Sequence, residues 1–280
     1  MQNEGNHTIY SLCGIKFKIK IEPSQKDIVN LVFDDTSGIG NRIFPIISCC
    51  KYFEPKIIKF LWPKNNWVTS KMSDLFSLNL PCKLVEYNDE TEIINWKNCK
   101  KEITITKPSP FIVTKDKIVR NLWMNNLTSE IKSLYVPIFE NLKPSNQVLN
   151  RIKTQVVPEN FVALQIRNNS DWQQFGRNED LNSFLKIIQK YPKDTVFYLS
   201  AMNKDTSNFI KENINYNIIE LDNKNYNSMI DAVTDLYIMS FANKAIYSFG
   251  STFAELSYWL SGCKQEINIV GNDEKWIWKK

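Results

Sequence analysis

Histidine occurs once in the 280 residues, as His7 in a polar opening stretch. No Ser-His-Asp or Cys-His nucleophile system can be assembled from that supply, and a histidine-based metal site is nearly excluded. The six cysteines (Cys13, Cys49, Cys50, Cys82, Cys99, Cys263) are scattered and form no Cys-x-x-Cys pair. Zinc-finger spacing is therefore absent, and the usage fits a reducing compartment. No apolar run approaches the ~18 residues that span a bilayer, and no secretory signal leads the chain, so the expected location is cytoplasmic. Charge of one sign is not concentrated either. Thirty-five Lys and Arg against 30 Asp and Glu leave a net charge of +5. That is too mild and dispersed for nucleic acid, and no basic tract is interleaved with aromatics. It is enough to attract phosphorylated substrates or to hold the chain peripherally against an anionic inner-membrane surface.

What is present is a globular composition, 43% hydrophobic, in a chain long enough for one large or two modest domains. Residues 1–9 are polar and are expected to be mobile. From Ile15 to Ile21 apolar and lysine residues alternate strictly, the pattern of an edge strand with one buried face, and residues 1–27 are set apart as tail and strand. A first half spans 28–147 and a second 148–280. The second half reads as strand 161–166, helix 180–190, strand 195–200, helix 206–213, strand 217–221, helix 227–240, strand 244–248 and helix 252–261. Alternating strands and helices imply a parallel, doubly wound α/β sheet.

Three segments carry chemistry. Phe161 to Ile166 reads as a buried central strand, and Arg167 follows where that strand should end, with Asp171 and Trp172 in the same loop. Ligands of open α/β sheets sit beyond the carboxyl ends of the strands. A guanidinium there suits a phosphate. The second segment is a strand from Ile28 to Phe33, then Gly38-Ile39-Gly40-Asn41 and a helical pattern. Its glycines would allow close backbone approach, and a helix start favours an anion. In the third, Lys244 to Ser248 reads as a strand that leads through Phe249 and Gly250 to Ser251 and Thr252 at a helix N-cap. Each also has a plain structural use: an ion pair, a tight turn, a cap. Asp231 and Asp235 fall on one helix face, so at least one is expected to face solvent.

Taken together these segments resemble the GDP-fucose-dependent fucosyltransferases. Gly38-Ile39-Gly40-Asn41 is similar to the Gly-x-Gly-Asn loop of that superfamily. Leu164-Gln165-Ile166-Arg167 with Ser170-Asp171-Trp172 resembles its His-x-Arg motif, most closely the protein O-fucosyltransferase form, with Gln165 where the family has His. Asp235 to Ser240 followed by Ser251-Thr252-Phe253 resembles the donor-binding region shared with the α1,6-fucosyltransferases. The resemblance covers roughly residues 28 to 260. It implies a GT-B fold, two Rossmann-like domains with a cleft between them, the first on the acceptor side and the second holding the donor. It implies inverting transfer from a GDP-sugar, GDP-fucose first, to a glycan acceptor, with no metal and no cofactor. The missing signal anchor and the Lys-, Asn- and Ile-rich composition point to a bacterial source, and with the resemblance the expected product is a surface glycan (lipopolysaccharide, lipooligosaccharide or capsule). Carried over, Arg167 would hold the β-phosphate and Asp235 would meet the guanine. Ser251, Thr252 and Phe253 would hold the phosphates and flank the nucleoside, and Gly38, Gly40 and Asn41 would face the donor. Ser200, closing the strand 195–200, joins the donor-binding candidates. Asp171 is grouped with Arg167 as catalytic, while Asp34 and Asp35 stay open as alternative bases. A catalytically silent nucleotide-sugar or glycan-binding module is the other reading. It would bind donor and never consume it.

Overall fold

In the computed structural model, the described residues are 2–4, 7–12, 15–20, 28–33, 38–66, 68–87, 102–105, 111–113, 118–120, 127–168 and 181–271. Asp34, Asp35, Asp171 and Trp172 lie outside them. The chain divides into two compact units, Met1–Lys143 and Pro144–Lys280.

The first unit opens with an antiparallel sheet of β1 (Gln2–Glu4), β2 (His7–Leu12) and β3 (Ile15–Lys20), in that order. The polar start, expected to be mobile, thus supplies two strands. The backbone of β3 offers a ladder that polar residues complete as readily as apolar ones. Next come β4 (Ile28–Phe33), α1 (Ile39–Phe53), β5 (Ile57–Leu61), the short α2 (Met72–Leu75), β6 (Phe76–Leu78), β7 (Lys83–Tyr87) and β8 (Glu102–Ile105). Four of these strands form a parallel sheet in the order β7-β5-β4-β8. The chain moves outward from β4 to β5 and β7, then returns to the other side of β4 as β8. The hairpin β9 (Phe111–Val113) and β10 (Ile118–Arg120), helix α3 (Ser129–Phe139) and β11 (Leu142–Pro144) follow. Trp62, just past β5, is fully buried, set edge-on to Phe33 and Phe60, with its indole N–H on the Ser70 carbonyl at 3.0 Å. It is a packing residue.

The second unit holds α4 (Asn146–Lys153), β12 (Val162–Ile166), α5 (Leu181–Ile188), β13 (Val196–Ala201), α6 (Lys204–Asn213), β14 (Asn217–Ile219), α7 (Met229–Ser240), β15 (Lys244–Ser248), α8 (Thr252–Leu260) and β16 (Glu266–Val270). Its sheet runs β14-β13-β12-β15-β16, all parallel. Every residue of β12 is buried, as a central strand covered on both faces requires. Strand alternation sends Val162, Leu164 and Ile166 to one face, where they meet Phe184, Leu185, Ile188, Phe197, Leu199 and Ile210. Each such side chain contributes about 1.5–3 kcal/mol. Ala163 and Gln165 point to the other face, level with Tyr198 and Ser200 of β13 and with Ala245 and Tyr247 of β15. Helix α7 packs over that face, and α4 and α8 pack on α7. Strand order reverses between β12 and β15: β13 and β14 extend one way from β12, β15 and β16 the other. No helix among the described residues is long and apolar enough to cross a membrane.

Candidate functional site

Parallel sheets whose order reverses open a crevice at the carboxyl ends of the two strands flanking the reversal. In the second unit those strands are β12 and β15, and they deliver two of the three chemistry-bearing segments to one place. Arg167 leaves β12 and is half-buried. Its backbone N–H donates to Ser248 Oγ at 2.8 Å, at the end of β15, and that hydroxyl donates in turn to the Gln165 carbonyl at 3.5 Å. One serine therefore stitches the ends of the two strands. The chain turns through Gly250 at φ 73, a backbone state that glycine takes without strain. It enters α8 with Ser251 as N-cap, the Oγ accepting from the Ala254 N–H at 3.3 Å. Ser251 is buried, and Thr252 and Phe253 are half-buried. The α8 N-terminus, the positive end of that helix, thus opens beside the end of the strand that leads into Arg167.

Asn168, next after Arg167, is held from the far side. Asn203 caps α6 by accepting from the Thr206 N–H at 2.9 Å and donates its amide to the Asn168 carbonyl at 2.9 Å. Sequence reasoning missed Asn203 and the stitching role of Ser248, because only the parallel register brings residues so distant in sequence together.

Asp235 and Ser200 also meet, but deeper. Asp235 is 1% exposed, and three protein groups donate to its carboxylate: Tyr198 Oη at 2.6 Å, Ser200 Oγ at 2.8 Å and Lys224 Nζ at 2.7 Å. Burial pushes the Asp235 carboxyl up, and Lys224 and the two hydroxyls pull against it. Burial would lower the Lys224 ammonium, yet the Asp235 and Glu220 charges win and hold it above the usual lysine range. Glu220 accepts from Ser207, Lys211 and Tyr226 at 2.7–2.9 Å, and these partners outweigh burial and keep its carboxyl low. Asp231 is buried as well. It is paired with Arg151 Nε at 3.0 Å and accepts from the Asn225 N–H at 2.8 Å, so neither acid of the i, i+4 pair faces solvent. A cation from a different element reaches each acid, which one helix's periodicity does not reveal. Lys224, Tyr198 and Tyr226 also line a surface cavity of about 620 Å³ along the β14 edge, whose lining includes none of Arg167, Ser248 or Ser251. For a phosphate site the chemistry at the strand ends outranks the size of that cavity.

Two further polar groups stand out. The Gln165 side chain is buried with Oε1 unpartnered among the described residues. Glu255, one turn into α8, is 3% exposed, and burial pushes its carboxyl up to about 8, offset in part by the Trp259 indole.

In the first unit, α1 starts just beyond β4, the strand at which that sheet reverses order. Gly38 is its N-cap at φ −77, and no side chain caps the helix. Among the described residues a Cβ on Gly38 would meet nothing within 4 Å. Gly40 is buried, and Asn41 Oδ1 is buried without a hydrogen-bond partner among the described residues.

No protein-family model and no curated protein matches the chain. Solved structures do. The chain is similar to the fucosyltransferase NodZ from Bradyrhizobium at 12% identity and a TM-score of 0.54, over 83% of this chain and 93% of that one. It is similar to POFUT1 in complex with GDP at 11% identity and a TM-score of 0.55, over 89% and 99%. It is similar to a variant of Arabidopsis thaliana FUT1 in complex with GDP at 12% identity and a TM-score of 0.55, over 89% and 71%. The α/β fold with parallel sheets is thus one that fucosyltransferases of known structure adopt, and it fits a GT-B-like architecture.

Proposed function

We propose that the chain is an inverting, metal-independent glycosyltransferase that takes its sugar from a GDP-sugar, GDP-fucose first. The observation that carries this reading is the junction of Arg167, Ser248 and the α8 N-terminus at the β12/β15 switch point. A diphosphate there would meet a permanent cation and the positive end of a helix. The fold shared with NodZ, which has been solved after soaking with GDP-fucose, supports the choice of donor.

In this reading residues 148–280 are the donor domain and 28–147 the acceptor-side domain of a GT-B pair. The acceptor hydroxyl attacks the anomeric carbon as the bond to the β-phosphate oxygen breaks, and GDP departs. Arg167 takes up the growing charge on the diphosphate, with Ser251, Thr252 and Phe253 around it. Gly38, Gly40 and Asn41 face the donor from the other domain. Asp171 accepts the acceptor proton, with Asp34 and Asp35 as alternatives. Asp235 and Ser200 shape the nucleoside site together with Lys224. A glycan of the bacterial surface is the acceptor, and the work is done at the cytoplasmic face of the inner membrane, where the net positive charge favours peripheral contact.

The experiment is a thermal-shift screen with GDP, UDP and CDP, with and without chelator. Ligand at one hundred times its dissociation constant adds about 2.7 kcal/mol to apparent stability. GDP should raise the melting temperature most, and chelator should leave the shift unchanged. A shift with UDP and none with GDP overturns the donor, and loss of the shift with chelator overturns metal independence. Gln165, where the family has His and whose Oε1 lacks a partner among the described residues, favours the second reading of a silent binder. Donor that is bound and never consumed with any acceptor would establish it.

A further inference from the structure

Cys50 lies near the end of α1, 2% exposed, and Cys82 sits in the turn before the edge strand β7, 9% exposed. Both are free thiols, and their Sγ atoms are 3.6 Å apart. The two sulfurs, on elements separated by β5, α2 and β6, are direct neighbours, the arrangement from which side-chain rotation can form a disulfide. The contact also divides the pair chemically. Hydrogen bonding to Cys50 pulls the Cys82 thiol below its ordinary value, while the same contact and burial push Cys50 up. Cys82, the less buried of the two residues, is therefore the one placed to attack.

We propose that Cys50 and Cys82 are a redox pair, closed by a low-molecular-weight disulfide such as oxidised glutathione into a cross-link that pins the end of α1 to the start of β7. The Cys82 thiolate attacks one sulfur of the reagent, forming a mixed disulfide and releasing one reagent thiol. Cys50 gives up its proton and attacks Cys82 Sγ, expelling the second reagent thiol. Two protein thiols are oxidised and one reagent disulfide is reduced to two thiols. The bond closes the loop from residue 50 to residue 82 and restricts the unfolded chain accordingly. It also fastens the helix whose other end carries Gly40 and Asn41. In a reducing compartment the pair stays open, so closure marks oxidising conditions.

The test uses the full chain equilibrated in glutathione buffers of increasing oxidised fraction, alkylated, digested without reductant and mapped by mass spectrometry. The expected map shows one cross-linked peptide pair, Cys50 with Cys82, lighter by two hydrogens than the separate thiol peptides. Melting temperature should rise by about 5 °C or more on closure and return on reduction. Cys82→Ser should abolish both changes and Cys263→Ser neither. The proposal is overturned if no Cys50–Cys82 link forms even in fully oxidised glutathione. It is also overturned if Cys49 or Cys263 cross-links in equal yield, or if glutathione stays attached to Cys82 without transfer to Cys50. Should Cys82→Ser fail to fold, the map of the unaltered chain decides alone.

Discussion

Replacing Asp235 by Asn removes the carboxylate that Lys224 meets at 2.7 Å, with the two side chains 1% and 6% exposed. A buried cation left without its main partner destabilises a fold by about 3–5 kcal/mol. Asp235→Asn is therefore expected to lower the denaturation midpoint markedly, and adding Lys224→Met should recover part of the loss. Two additive losses in that cycle would show that the pair is not coupled. Glu255 makes a prediction about pH. Its native carboxyl is pushed up to about 8 from an ordinary 4.5, so the folded state holds a proton that the unfolded chain releases. Stability is then full below pH 4.5, falls by at most ~1.4 kcal/mol per pH unit towards pH 8, and levels off above. Glu255→Gln should remove that slope, as read from urea midpoints at pH 5, 6.5 and 8. Equal slopes in variant and parent would place the titration elsewhere. Neither effect is legible in sequence. Asp235 is visible as a candidate, but Lys224 comes from the loop after β14 and Trp259 from the next turn of α8, and which of many polar residues arrive is decided by packing.

At the scale of elements, Ser251 is the cap of α8. Its Oγ satisfies the Ala254 N–H at 3.3 Å, so Ser251→Ala should cost about 0.5–2 kcal/mol through the cap alone. If Ser251 also touches the diphosphate, GDP affinity should fall beyond what the lost stability explains, and Ser251→Gly, which keeps most of the capping, should still bind weakly. Isothermal titration on both folded variants separates the two roles. Much of the second unit is readable at this scale. The apolar runs at Val162–Ile166 and Lys244–Ser248 become the strands expected of them, and the apolar stripe of Leu181–Ile188 becomes a helix. Strand β16 escapes sequence reading because Glu266-Ile267-Asn268-Ile269 alternates polar and apolar at a sheet edge, a pattern loops also show. Strands β1 and β2 escape because nothing in Gln2–Leu12 marks a buried face; their partner strand creates them.

At the scale of the whole molecule, each unit carries a parallel sheet that reverses order next to a chemistry-bearing loop: β12/β15 at Arg167, and β4/β8 before Gly38. The alternation of strands and helices announces parallel sheets. The order of the strands is not announced, since it depends on which side of β12 or β4 the chain returns to. Strand order is what turns Arg167 and Ser248, 81 positions apart, into hydrogen-bonded neighbours.

The central claim is that this junction stabilises a departing diphosphate through Arg167, and one comparison tests it most directly. Turnover of GDP-fucose and the GDP dissociation constant are measured for the parent and for folded Arg167→Ala. Charge on the leaving group grows as the glycosidic bond breaks, so the loss should fall on turnover, by about a hundredfold or more, and less on GDP affinity. Arg167→Lys keeps the charge without the planar two-pronged donor and should recover little. A folded Arg167→Ala that turns over at the parent's rate contradicts the account and leaves Arg167 a surface ion-pair residue.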